Sequence, residues 1–288
     1  VFLSAGTIWA TTLSALLISV LFWLALRLRE GAGWPSWTAY GLVWGMVALS
    51  NPALLVVAPA LTAWVWYQLR QRRQSSLSRV AVATALAVLC IVPWTSRNYQ
   101  TFGRWIPLRS KLGLELYVGN STDTTEYWHA SLHPAHEMRE LQEMERLGES
   151  AYMAHKQEQA FEFIRQHPGT YAWLTLKRTA YFWTGAWSLS RSYLRQNPGE
   201  ALNIPFTVLL SALTFAGLWR IFRLDRGTAW FFALALVAAP LLYYFVVVGI
   251  PYRHPIEPLM AILIAVGITG IDSPVLSPVH VHRNQRDT

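Results

Sequence analysis

Long uncharged stretches alternate with short clusters of charge along this chain. Residues 7–26, from Thr7 to Leu26, are uncharged and close on Arg27, Arg29 and Glu30. About 20 apolar residues in a row suffice to cross a bilayer as a helix. Five more apolar stretches follow, at 38–67, 80–95, 203–219, 227–252 and 256–271. The stretch 38–67 is too long for one ordinary span, and Asn51-Pro52 interrupts it. Proline removes a backbone donor and breaks or kinks a helix, so this stretch predicts two short helices or one sharply broken one. Pro59, Pro93, Pro240 and Pro251 predict further kinks or ends. Gly41 and Gly45 form a small-xxx-small pair, the spacing of close helix packing in membranes.

Between the third and fourth stretches the pattern changes. Residues 137–147 (EMRELQEMERL) place Met138, Leu141, Met144 and Leu147 near one helical face. Residues 149–167 continue with Ala151, Tyr152, Ala160, Phe161 and Ile164 at a similar period, up to Pro168-Gly169. Residues 171–187 predict a third helix, dense in aromatics (Tyr171, Trp173, Tyr181, Phe182, Trp183, Trp187) and suited to a membrane interface. The predicted fold class is mainly α: a polytopic membrane helical bundle with an α-helical extracytoplasmic segment. Its expected parts are membrane helices over 1–95, the outer segment 96–202, membrane helices over 203–271 and a cytoplasmic tail, 272–288.

Charge gives this arrangement a direction. The segment 96–202 holds 12 basic and 11 acidic residues, whereas the rest of the chain holds 12 basic and 5 acidic. The excess sits in short loops: Arg70, Arg72, Arg73 and Arg79 in one, Arg220, Arg223 and Arg226 in another. Cytoplasmic loops carry such a bias. With both loops inside, 80–95 leads out, 96–202 lies outside, 203–219 and 227–252 form a hairpin, and the last span returns the tail with Arg283 and Arg286. If 38–67 crosses twice, Arg27 and Arg29 are inside as well. The net charge of +8 therefore reads as membrane orientation rather than a nucleic-acid footprint.

Composition excludes several classes. Charged residues make up 14% and hydrophobic ones 53%, the opposite of an intrinsically disordered chain. The single cysteine, Cys90, excludes an internal disulfide framework and a cysteine-based zinc site. No phosphate-binding glycine loop of the G-x-x-x-x-G-K-[ST] or G-x-G-x-x-G kind is present. The chain opens on Val1 and enters an apolar stretch almost at once, without a charged leader. We therefore expect a C-terminal piece of a longer protein.

Candidate chemistry gathers at the outer ends of spans. Arg97 and Asn98 lie where 80–95 leaves the membrane, and an arginine at headgroup depth can grip a phosphate with two hydrogen bonds. Arg109 and Lys111 follow, then Gly113, Tyr117, Gly119 and Asn120, where the glycines predict tight turns. Asn120-Ser121-Thr122 matches a glycosylation sequon. The string Tyr252-Arg253-His254-Pro255-Ile256-Glu257-Pro258 sits between the last two spans. Ionisable groups at membrane depth are costly and default to function; the bland alternative is a turn closed by an Arg253–Glu257 ion pair. His129, His133 and His136 with Glu137 have weak metal-ligand spacing, and Pro134 falls among them. His280 and His282 are weaker still.

Read together, "TIWATTLSALL", "GLVWGMVALSNPALLVVAP", "PWTSRNYQTFGRWIPLRSKLGLELYVGN", "LGESAYMAHKQEQAFEFIRQHPGTYAWLTLKRTAYFWTG" and "YRHPIEP" resemble membrane glycosyltransferases of the C-type fold. These are the protein O-mannosyltransferase and aminoarabinose-transferase-like enzymes. The resemblance spans nearly the whole chain. It implies a many-helix membrane enzyme that moves a sugar from a polyprenyl-phosphate carrier to an acceptor on the outer membrane face. It implies a bacterial inner membrane with 96–202 in the periplasm. The family's catalytic acid lies in a first outer loop that this chain does not contain, so the catalytic residue is unassigned. Many members also carry a Glu near the start of the span matching 7–26, where this chain reads Ile8-Trp9-Ala10-Thr11. On this resemblance Arg253 and Arg97 bind the carrier phosphate, and Tyr252, His254, Asn98 and Arg109 line the site. The expected partners are the lipid-linked sugar, the bilayer and an unidentified acceptor, with no nucleic acid. No cofactor is visible and no metal ligand set is assigned, although the family admits a divalent metal. The competing readings are a non-catalytic scaffold binding a partner through its outer helices, and a transporter.

Overall fold

The computed structural model describes residues 10–74, 76–122, 124, 130–185 and 189–269. Among the described residues all regular structure is helical. The first group of helices is α1 (Ala10–Arg29), α2 (Trp34–Ser50), α3 (Val57–Gln71) and α4 (Leu77–Phe102). A middle group follows: α5 (Leu112–Gly119), α6 (Met138–Leu147), α7 (Glu149–Gln166), α8 (Pro168–Thr184) and the short α9 (Arg191–Gln196). The chain then returns through α10 (Glu200–Leu224), α11 (Arg226–Ala238), α12 (Leu241–Phe245) and α13 (Glu257–Thr269). Five segments are long and apolar enough to cross a membrane: Thr11–Arg29, Pro52–Gln71, Leu77–Phe102, Glu200–Leu224 and Arg226–Phe245.

The stretch 38–67 resolves into two helices. Asn51, held extended before a proline, stops α2, and Pro52 opens a 3-10 turn (Pro52–Val56) that runs into α3. The two helices fold back on each other, because Tyr40 Oη and Thr62 Oγ1, each 11 residues from Asn51, meet at 3.1 Å. Pro93, by contrast, does not end α4, which continues to Phe102 and caps on Gly103 at φ 65°. The apolar stretch 80–95 is thus the body of a longer helix whose polar end reaches into the segment 96–202.

Glycine sets the closest helix contacts. A Cβ on Gly41 would meet the backbone of Ala83, and one on Gly45 would meet Cys90, so α2 lies tight on α4 as the small-residue spacing predicts. Gly217 likewise abuts the Leu263 carbonyl and joins α10 to α13.

Hydrogen bonds sort the helix termini into two ends of the bundle. At one end Arg29 donates to Thr228 at 2.7 Å and pairs with Asp225 at 3.5 Å, and Trp64 Nε1 donates to the Gly227 carbonyl at 3.0 Å. At the other, Arg109 donates to the Ser50 carbonyl at 2.7 Å and Asn51 reaches Tyr243 at 3.4 Å. The middle group stands on this second end. Its own small core is Leu114, Val118, Leu132, Tyr152 and Met153, with Met144 and Leu147 of α6 against it. Met138, expected on the same face of α6, is instead exposed. Lys156 is buried there between Glu140 (2.7 Å) and Glu143 (3.0 Å), while Tyr152 donates to Glu140 at 2.6 Å. Full partnering makes a buried lysine tolerable.

Gly113 and Gly119 lie within α5, not in turns as expected. They let it approach the Met153 carbonyl on one side and the Val246 carbonyl on the other. Arg178 of α8 secures the second contact. Its guanidinium, 1% exposed, donates to the Gly119 carbonyl, to Asn120 Oδ1 at 3.2 Å and to the Phe245 carbonyl at 3.4 Å. Asn120 adds its own bond to the Phe245 carbonyl at 3.2 Å. The middle group is thereby clamped to residues 245–248, just ahead of the Tyr252–Glu257 string. Burial lowers the pKa of Arg178 to about 10, with Tyr171 opposing the shift; the carbonyls that hold it are the unsatisfied ends of α5 and α12.

Candidate functional site

The Tyr252–Glu257 string forms a 3-10 turn, Ile250–Ile256, leading directly into α13. Pro251 and Pro255 supply no backbone donor within the turn, and Pro258 sits in the first turn of α13, where no donor is needed. The turn closes one side of a cavity of about 490 Å³ whose other walls are α8, α10 and the first turns of α13. Phe182, Phe206, Leu210, Met260 and Ile264 make most of that wall apolar.

Arg253 lies against this cavity and is only 8% exposed, yet its Nε and Nη1 are buried without a hydrogen-bond partner. Buried donors are nearly always satisfied, so such a pair calls for a partner beyond the described residues. Burial also pulls the pKa of this guanidinium down, with Glu257 partly offsetting the shift. The contact that forms here is a hydrogen bond of His254 with Glu257 (Nδ1 to Oε2, 2.9 Å), not an ion pair of Arg253 with Glu257 as the turn-closing alternative required. His254 Nε2 is buried and unpartnered too.

The other expected site residues disperse. Tyr252 stacks flat on Tyr243, with centroids 4.4 Å apart. Tyr243 in turn receives the Asn51 amide, and Arg109 lies near it while holding the end of α2. Arg97 lies over Trp94 at 5.2 Å and lines a separate hollow with Leu49, Cys90 and Pro93. The structure does not bring Arg97 and Arg253 to one pocket. Asn98 is buried, donates to the Ile106 carbonyl at 2.9 Å and ties the chain after α4 back onto that helix. It shapes the fold rather than lining the cavity.

His133 Nδ1 accepts from the Ala135 amide at 3.1 Å, so one ring nitrogen closes a local turn. Among the described residues no group of three metal-ligand side chains comes together; His129, His280, His282 and Trp187 lie outside those residues. Asn120 of the sequon is fully buried and bonded to Leu116, Phe245 and Arg178, which removes it as an acceptor in the folded chain.

Two acidic residues escaped the sequence reading as site groups. Glu257 stands three residues after His254 in a stretch that is helical throughout, and that spacing brings the two side chains together. Glu115 carries a buried Oε2 without a partner, within electrostatic reach of Tyr252. Burial raises its pKa and Lys111 partly counters this. A single Glu in the apolar string LGLELYVG gives no pattern from which to predict that placement.

Comparison with known proteins gives no match, whether to a family model, a curated protein or a solved structure.

Proposed function

We propose that this chain is a membrane glycosyltransferase that takes a sugar from a polyprenyl-phosphate carrier. The observation that carries this reading is Arg253, buried with two unpartnered guanidinium nitrogens beside an apolar cavity. A lipid phosphate satisfies both halves of that environment. Its oxygens accept from the guanidinium in a charge-assisted hydrogen bond, and its hydrocarbon lies along Phe206, Leu210 and Ile264. When the sugar departs, negative charge grows on the phosphate, and a fixed cation stabilises that charge most where water is excluded. In this reading 96–202 faces the periplasm of a bacterial inner membrane, and the acceptor approaches from that side. Arg97, in its separate hollow, meets the headgroup layer as an anchor.

Arg253→Ala tests the assignment in membranes supplied with polyprenyl-phosphate-linked sugar. Transfer is expected to fall by about 100-fold or more, as for removal of one preorganised donor to a developing oxyanion. Arg253→Lys recovers only part of it, since a point charge replaces a planar fork. Transfer at the wild-type rate in Arg253→Ala overturns the reading.

A further inference from the structure

We propose that His254 is a catalytic residue of this cavity: held by Glu257, it gives a proton to the phosphate oxygen that leaves the sugar. The inference rests on the reading of the cavity as the carrier site and assigns a role which that reading leaves open.

The geometry is specific. Glu257 Oε2 lies 2.9 Å from His254 Nδ1. A carboxylate only accepts, so Nδ1 carries a hydrogen and the exchangeable position is Nε2. Nε2 is buried without a partner, as are Nε and Nη1 of Arg253, and both residues line the same cavity. Arg253 and His254 are adjacent lining residues of one cavity, so an anion held by the guanidinium lies beside the imidazole. A histidine fixed by a carboxylate behind it has a set ring orientation and a stabilised imidazolium. The charged groups facing it are few. Arg253 and Glu257 flank it on its own stretch and α13, and α8 contributes Tyr181. Helix α10 offers no ionisable group to the cavity, and α1, packed on the same turn, is uncharged from Ala10 to Leu26.

In the step itself, the bond from the sugar's anomeric carbon to the phosphate oxygen breaks and its electron pair stays on that oxygen. The Nε2 proton moves there, giving a lipid phosphomonoester monoanion and neutral histidine. The acceptor hydroxyl oxygen forms the new bond to the anomeric carbon and its proton passes to water, from which His254 is reprotonated.

Steady-state transfer from the polyprenyl-phosphate sugar, measured across pH in the intact protein, tests this. His254→Gln is expected to lower kcat about 100-fold, the scale of a lost general acid, with little change in KM for the carrier. It also abolishes the fall of kcat at high pH. Glu257→Gln is expected to lower kcat as well, with little change in KM, because the ring loses the carboxylate that fixes its orientation. This second variant reads the dyad even if His254→Gln folds poorly. Wild-type kcat in His254→Gln, or a rise in KM alone, overturns the proton-donor role. If Arg253→Ala abolishes transfer while both dyad variants behave as wild type, the dyad fails and the carrier site stands. Absence of transfer from the carrier lipid by the wild type overturns both.

Discussion

Single residues show best what a sequence can and cannot signal about this site. Arg253 was legible because an arginine between two apolar stretches demands a reason. Asn98 misled because its neighbour Arg97 lent it chemistry, while its amide serves the backbone of Ile106. Glu115 was invisible because its burial comes from α5 packing on α7 and on residues 245–248, contacts made by distant parts of the chain. Its raised pKa has a measurable sign. The folded state holds the Glu115 proton more tightly than the unfolded chain does. Stability from this group is therefore full below the unfolded value near 4.5 and is lost as pH rises through the raised folded value. Glu115→Gln removes the ionisable group, so its melting midpoint is expected to exceed the wild type's at pH 7–8 and to converge with it near pH 4. A wild-type midpoint equal to or above that of the variant at neutral pH refutes this account.

Helices were legible as elements and less so at their ends. The break at Asn51-Pro52 could be read because proline there follows 13 uncharged residues and precedes 15 more. Pro93 looks the same in sequence and does the opposite. Its freed carbonyl lies on an exposed face, and α4 is carried on by bonds of Thr95 to Ile91 and of Asn98 to the returning loop. The glycines of α5 read as turns because φ freedom and close approach have one sequence signature; only the Met153 and Val246 carbonyls beside them decide for close approach. The clamp at the end of α5 is correspondingly sensitive. Arg178→Met retains the buried stem but leaves the Gly119 and Phe245 carbonyls without donors. It is expected to cost at least about 2 kcal/mol, given about 1.5–3 kcal/mol for one hydrogen bond to a charged group. Gly119→Ala should cost about 1–3 kcal/mol by overpacking against Val246. Thermal unfolding of purified protein in detergent measures both. If either variant melts with the wild type, the clamp does not hold the middle group to residues 245–248.

At the scale of the molecule the two ends of the bundle differ in chemistry, and that difference was readable before any contact was known. The end carrying Arg27, Arg29, Arg70, Arg79 and Arg223 places all five over tryptophans: Arg29 over the buried Trp64, and four over tryptophans nearer the surface, Arg27 on Trp23, Arg70 on Trp66, Arg79 on Trp34 and Arg223 on Trp219. The last four tryptophans are exposed, as residues of an interfacial belt are. The opposite end carries Arg253, the Tyr243–Tyr252 stack and the nearly neutral middle group. The hydrogen bonds Arg29–Thr228 and Arg109–Ser50 assign helix termini to these two ends, and the stretch 38–67 passes between them twice, as α2 and then α3. Contacts between spans did not follow from the pattern, because nearly uniform apolar helices such as α2 and α10 hide which face meets which neighbour; only Gly41 and Gly45 hinted at one. The two-ended arrangement makes a direct prediction about sidedness. Cys90 is the single cysteine, so Cys90→Ala provides a background for reporters. Arg72→Cys places one on the exposed α3–α4 connection, and Glu158→Cys places one on the exposed face of α7. A membrane-impermeant maleimide applied to intact cells should label the cysteine at 158 and leave the one at 72 untouched until the membrane is opened. Labelling of both in intact cells would put the arginine loop and the middle group on one side, and an odd number of crossings through α4 would then be wrong. Protection of both before opening, with labelling of both after, would place the middle group in the cytoplasm and remove the periplasmic approach on which the carrier reading depends.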